Sequence, residues 1–364
     1  MQRSAMSSKR LQHDEDGDSD ASQPKRPRTR TFDIDAADDS PPFPHSDYTI
    51  AWICALPLEL AASRAMLDEQ HPPPPHQVGD DNIYVVGRIH RHNVVMACLP
   101  QYGTNNAAIV ATNLKRSFPG IRATLMVGIG GGSPSQADLY LGDVVVGTRV
   151  MQYDMGKVVG GGHFQGTAVA KTPSMLLNSA LSTLRSQHVA QQSSDRTGSL
   201  LKSRFPDLTR PDRPDSLFQA SYEHHPFGAP TCDGCDPAKV QPRAFRLSNE
   251  PKIHYGVIAS GNSVMRDGKS RDDVSQRLSA LCFEMEAAGM MDTLQCLPIR
   301  GICDYSDSHK NKEWQDYAAA TAAAYAWELL KVIPVSSGEL SRANTARFHQ
   351  SQENEADTAG KNNL

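Results

Sequence analysis

The chain has 364 residues, 21% of them charged, and a formal net charge of −4; that is room for one large domain or two ordinary ones, and it excludes a chain-wide electrostatic grip on nucleic acid. No apolar run approaches the roughly 18 residues needed to span a bilayer, and the first residues lack the apolar core of a secretory signal. Seven cysteines, an odd number set mostly inside apolar stretches, fit buried thiols better than a disulfide framework, so an intracellular, cytoplasmic protein without membrane contact is expected.

Residues 1–46 are rich in Ser, Asp, Pro, Lys and Arg without apolar periodicity, a composition that cannot offset its ordering entropy, so the segment is expected to be disordered. Within it lies the basic cluster Lys25-Arg26-Pro27-Arg28-Thr29-Arg30. It reads either as a solvated charge run or as a nuclear-import signal. Order is expected from Tyr48 to Leu56, an apolar run suited to a strand buried on both faces. Pro57 then opens a helical stretch to Leu67, which puts Glu59 in its first turn. The spacing predicts a hairpin of strands over 82–89 and 93–99, a helix over 106–118 and a strand over 123–127. The glycines of Gly128-Ile129-Gly130-Gly131-Gly132 read as a turn in which backbone can approach a ligand. They are not a dinucleotide fingerprint, because a loop and the strand 143–146 follow instead of a helix.

Further on, 174–186 has a helical pattern, and about 190–250 reads as an irregular insertion rich in Pro, Arg, Asp and His. Cys232 and Cys235 form one C-x-x-C near His224 and His225. These are zinc-ligand types without the paired spacing of a strong motif, so free thiols and local zinc stapling both remain open. A strand over 253–260 ends at Gly261-Asn262-Ser263, and a helix over 274–281 follows. Glu284 and Glu286 then sit one residue apart at a strand-to-helix junction, where i and i+2 project to the same side. The strand 297–302 delivers Cys303 and Asp304 into a polar loop. A helix over 314–332 closes the ordered region, and 334–364 turns polar and is expected to be a disordered tail. Alternating strands and helices across 47–333 argue one α/β domain. Ligands in such sheets bind beyond the carboxyl ends of strands.

Four stretches together resemble the purine and uridine phosphorylase superfamily, in its nucleosidase-like branch common in fungal proteins. Ala55-Leu56-Pro57-Leu58-Glu59 looks like the family's opening strand-to-helix turn, and Val127 to Gly132 like the glycine segment under base and sugar. Phe283-Glu284-Met285-Glu286-Ala287 is similar to the ribose-binding element, and Cys303-Asp304 stands where the family carries Ser-Asp. The resemblance implies a three-layer domain, a central mixed sheet flanked by helices. It implies cleavage of the N-ribosidic bond of purine nucleosides with no cofactor and no catalytic metal. Asp304 would protonate the departing purine at N7, which calls for a raised pKa. Cys303 would help position Asp304 or the base, Glu286 would bind the ribose hydroxyls, and Met285 would pack on the sugar. Glu284 would support the ribose site or the nucleophile. Phe283, Gly128, Ile129, Gly130, Val264 and Met265 would complete the pocket, with Val264 where an aromatic is expected.

Phosphorylases of the superfamily tend to carry Gly-Asp-Pro-x-Arg at the first turn, where this chain has Ala-Leu-Pro-Leu-Glu. Glu59 there would repel phosphate and act as general base on water, so hydrolysis to base and ribose is expected. Arg88 as a phosphate ligand would keep phosphorolysis open, and a non-catalytic nucleoside sensor is a third reading. The chain ends soon after the domain, which favours a stand-alone enzyme. Relatives suggest a homo-oligomer, and nucleic acid is an unlikely partner.

Overall fold

The computed structural model describes residues 43–190, 196–244 and 246–335. The basic cluster 25–30 lies outside the described residues. So do most of the two end segments expected to be disordered; of the first, 43–46 are described, and His45–Asp47 forms a 3-10 turn. Among the described residues the strands are β1 (Ile50–Cys54), β2 (Glu69–Gln70), β3 (Tyr84–Ile89), β4 (His92–Cys98), β5 (Ala123–Gly132) and β6 (Val144–Gln152). They continue with β7 (Gly156–Val158), β8 (Phe164–Gly166), β9 (Ile253–Ser260), β10 (Ala280–Glu284) and β11 (Leu297–Asp304). The helices are α1 (Pro57–Arg64), α2 (Thr104–Ser117), α3 (Met175–Ala190), α4 (Arg196–Arg204), α5 (Gly268–Leu278), α6 (Ala287–Met290) and α7 (Gln315–Leu330).

Nine strands form one mixed sheet in the order β10-β9-β6-β11-β5-β1-β4-β3-β2, and β10 also pairs with β5. That second pairing closes β10, β9, β6, β11 and β5 into a ring, while β1 to β4 extend from it as an open sheet. All five residues of β1 are buried. Ile50, Trp52 and Cys54 join the core beneath α1, α3 and α7, whereas Ala51 and Ile53 join the core under α2 and α6. One strand thus feeds two cores by its period of two, and the result is the expected three-layer α/β domain.

Two expectations are corrected here. The glycines 128–132 are not a turn, because β5 continues through them to Gly132, paired with β11 from Leu297↔Leu125 to Asp304↔Gly131. Glycine weakens a strand when nothing else holds it, but β11 pairs along one edge, and on the other β10 pairs with Gly131 and Gly132 while the Ile129 N–H donates to Glu59. The helix before Leu281 is α5, which ends at Leu278 with Ser279 in the left-handed region (φ 53°); this frees Ala280 to start β10. Within 196–244 the chain forms α4 and little other regular structure, apart from a 3-10 turn over Pro237–Lys239 and a Phe218–Val240 bridge. Side chains tie it to the sheet instead, with Arg246 forking onto Asp143 at 2.7 and 2.8 Å.

Candidate active site

The carboxyl ends of β1, β5, β10 and β11, with the loop after β9, converge on one cleft. Glu59 enters it from the first turn of α1. Its Oε2 accepts hydrogen bonds from the backbone of Ala55 (2.7 Å) and Leu56 (3.0 Å), and its Oε1 accepts one from Ile129 (2.8 Å). The carboxylate crosses from α1 to β5 because residue 128 is glycine: a Cβ there would stand 2.2 Å from Oε1. Burial raises its pKa, with Arg300 and the three backbone N–H groups pulling the other way. The outcome is a carboxyl held still by three donors and short of solvent.

Arg300 projects from β11 between the two glutamates of the strand-to-helix junction. Its Nη2 donates to Glu284 at 2.6 Å and to Glu286 at 3.2 Å, and all three side chains are buried. Glu284 also accepts from the backbone of Glu286 (3.1 Å) and Ala287 (2.9 Å), so it shapes the junction and anchors the arginine. Glu286 accepts from the Met285 backbone at 3.2 Å. Burial is the main cause that pushes its carboxyl up to about 7, against the pull of Arg300 and with the repulsion of Glu284 and Glu59 added. The i, i+2 spacing does bring both carboxylates to one cavity.

Asp304 departs from expectation in its ionisation. Burial alone would raise its pKa, but Lys310 Nζ at 2.6 Å outweighs burial, together with hydrogen bonds from the Cys303 thiol (3.1 Å) and the Ser306 backbone (2.9 Å). The net shift is downward, so the carboxyl of the free site is ionised and paired. Burial pushes the Cys303 thiol well up, which keeps it a neutral S–H donor to Asp304. Ser306 takes a left-handed backbone (φ 54°) to turn the loop, and buried Arg271 holds the loop by donating to the Tyr305 carbonyl at 2.8 Å.

Phe283, Met285, Ile129, Gly130, Val264, Met265 and Cys303 all line this cleft beside Glu59, Glu284 and Glu286. Two predicted site residues are not on the cleft wall: Gly128 sits behind Glu59, and Asp304 lies behind Cys303, Ser306 and Lys310, which do line it. Arg88 is elsewhere, exposed on β3 and paired with Glu69, so it gives no phosphate ligand to the cleft. Val264 is 45% exposed at the rim, and Tyr102 faces the same cavity. Asn262 fixes that rim by accepting from the backbone and hydroxyl of Thr104, at 3.0 and 2.9 Å, at the start of α2. The sequence reading missed Arg300, Lys310, Tyr102 and Ser306 as site residues. Arg300 had a signal, being the one charge in the predicted strand 297–302, and such a charge is rarely buried without partners. Lys310 had none, since a lysine in a polar loop is ordinary.

A family model described as the phosphorylase superfamily matches residues 49–331. The chain is 42% identical over 310 residues to a nucleotide-binding leucine-rich repeat (NLR)-like protein of Hyaloscypha variabilis, covering 82% of this chain and 31% of that one; it therefore spans about a third of that relative. It is 24% identical over 293 residues to the 5′-methylthioadenosine/S-adenosylhomocysteine nucleosidase of Mycobacterium bovis, covering 79% of this chain and 97% of that enzyme. Among solved structures, futalosine hydrolase of Helicobacter pylori aligns with a TM-score of 0.53 at 16% identity, over 79% of this chain and 99% of that one, a likeness of fold. The family match runs from the strand that precedes Glu59 to the helix that follows Asp304, and the chain belongs to the phosphorylase superfamily.

Proposed function

We propose that the chain hydrolyses the N-ribosidic bond of purine nucleosides to free base and ribose. The observation that carries this reading is the charge at the cleft floor, where Glu59, Glu284 and Glu286 surround a single guanidinium. Arg300 is already paired twice and Lys310, which lines the same cleft, is paired with Asp304, so among the described residues no unpaired cation faces an anionic co-substrate there; like charge in a buried site is costly. Water faces no such penalty. Glu59 takes a proton from that water as it attacks the anomeric carbon. Glu286 accepts hydrogen bonds from the ribose hydroxyls and stabilises the positive charge that develops on the sugar. The purine leaves with a proton on N7, relayed through the Asp304–Lys310 pair: the Lys310 ammonium gives a proton to the ionised Asp304 as Asp304 hands one to N7, which leaves Lys310 neutral. Glu59 gains one proton and the pair loses one, so the turnover balances once solvent returns them.

The mycobacterial relative is a nucleosidase by name, which supports the hydrolytic reading over phosphorolysis. A second reading, a nucleoside-recognition module of a larger assembly, is favoured by the NLR-like relative, of which this chain matches only part. Under either reading the protein is proposed to self-associate, as the family resemblance implies. Incubation with adenosine, inosine, guanosine, 5′-methylthioadenosine and uridine, with and without phosphate, separates these readings. Ribose formed without phosphate is expected, from purine nucleosides only; Glu59→Gln should lose about 10²- to 10⁴-fold in kcat, the usual worth of a general base. A strict phosphate requirement would overturn hydrolysis, and tight purine binding without turnover would favour the recognition module.

A further inference from the structure

We propose that His224, Cys232 and Cys235 bind a zinc ion, closed by His309, that staples the 196–250 excursion to the loop carrying Lys310. One ligand atom from each of the first three lies within 4.8 Å of the others. A zinc tetrahedron with Zn–S near 2.3 Å and Zn–N near 2.0 Å sets ligand atoms roughly 3.5 Å apart, so small rotations of the side chains suffice. The Cys235 N–H donates to the Cys232 carbonyl at 3.0 Å, which folds the C-x-x-C into a turn with both thiols on one side. Neither thiol has a strong partner. Cys232 points at the His309 carbonyl from 3.8 Å and Cys235 at the His225 carbonyl from 3.5 Å.

The His224 ring makes the case sharper. Its Nδ1 lies 3.2 Å from the Pro226 carbonyl and its Nε2 3.0 Å from the Thr231 carbonyl. Carbonyls only accept, and a neutral imidazole has one N–H, so one nitrogen aims a lone pair at an oxygen. A metal on that nitrogen would displace its carbonyl contact and leave the other N–H donating to its carbonyl, the arrangement that orients histidine ligands. His309 is buried at 7% exposure, and neither of its ring nitrogens has a hydrogen-bond partner among the described residues. It stacks on Phe218 (4.0 Å between centroids) and stands edge-on to His224 at 5.4 Å. Its Nδ1 is 3.5 Å from Asp307 Oδ1, a carboxylate suited to hold Nδ1–H while Nε2 ligates. Two thiolates and two imidazoles are a zinc donor set, and binding would release the two thiol protons.

The position gives the ion its task. The His224 N–H donates to Ser308 Oγ at 3.0 Å, so the staple would fix the turn between Asp304 and Lys310 from behind. The test is elemental analysis of the full chain, expressed with zinc and desalted. About one zinc per chain is expected, falling below about a tenth in the Cys232→Ser/Cys235→Ser double variant. Cobalt replacing zinc should give the visible bands of tetrahedral Co²⁺ with thiolate charge transfer, and His309→Asn should change them. Metal-free wild type, zinc retained by the double variant, or a Cys232–Cys235 disulfide as the resident state would each overturn the site; unchanged cobalt bands in His309→Asn would overturn the fourth ligand. Because the count needs neither a mutant nor turnover, it stands or falls apart from the hydrolase reading.

Discussion

Three carboxylates share one guanidinium at the cleft floor, and the least satisfied of them sets a pH dependence. Burial holds the Glu286 carboxyl up at about 7. A carboxyl raised in the folded state stabilises the fold below its ordinary range, and that contribution is lost as pH rises through about 7. The proposed ribose recognition by Glu286 runs the other way, because only the ionised form accepts from both hydroxyls. The Kd of a non-hydrolysable purine nucleoside analogue should therefore rise up to about tenfold per pH unit below 7, and Glu286→Gln should bind weakly with a flat profile. A wild-type Kd that stays constant across that range would remove Glu286 from the ribose. Asp304 tests the opposite case, a carboxyl depressed by its lysine. Lys310→Met should let burial raise the Asp304 pKa and cost about 10²- to 10⁴-fold in kcat. If the two act as one unit, Asp304→Asn with Lys310→Met should be no worse than either alone; an additive double variant would separate their roles.

At the scale of elements, the sheet owes its active centre to backbone that other side chains can cross. Residues 128–132 read as a turn because glycine is the strongest punctuation in a sequence. In the fold they are strand, held by β11 along one side and, at Gly131 and Gly132, by β10 on the other. The alternation of strands, the helix that opens at Pro57 and the pairing of Glu284 with Glu286 were all legible, since each rests on local period or local chemistry. The closure of β10 onto β5 was not, because it joins residues some 150 apart in the chain and depends on the absence of side chains. Gly131→Ala tests the point. A Cβ would meet Ser306 Oγ at 2.1 Å and Asp304 Oδ1 at 2.7 Å, so the loop that carries the proposed acid must move. Overpacking of this kind costs about 1–3 kcal/mol. The expected result is a lowered Tm with a larger fall in kcat than in nucleoside affinity; an unchanged kcat would show that the loop has slack.

Across the whole molecule, the excursion between α3 and β9 is where sequence patterning is least informative, for a physical reason. Leu201 and Leu217 join the main core, but beyond them it is held largely by charges and rings, and such contacts leave no period to read. Tyr140 lies under two of its arginines, Arg243 at 3.5 Å and Arg246 at 4.3 Å from the ring centre. Arg243 also donates to Tyr305 Oη at 2.6 Å, next to Asp304 in the chain. The anchor is Asp143, which is fully buried. It accepts from the Tyr140 backbone (3.0 Å), both ends of the Arg246 fork, the Lys252 backbone (2.9 Å) and the His254 ring (3.0 Å). Burial works to raise its pKa, but those bonds and the Arg246 charge outweigh it and hold it low. A carboxyl depressed in the folded state contributes stability above its unfolded pKa and loses it as pH falls through the folded value. Asp143→Asn keeps the shape and removes the charge, leaving Arg246 buried without its counter-ion, which costs about 3–5 kcal/mol when a buried pair is broken from one side. Thermal unfolding followed from neutral pH into acid should show a lower Tm for the variant at neutral pH and a gap that narrows as the wild-type aspartate protonates. A constant gap across that titration would mean that packing, not charge, ties the excursion to the sheet.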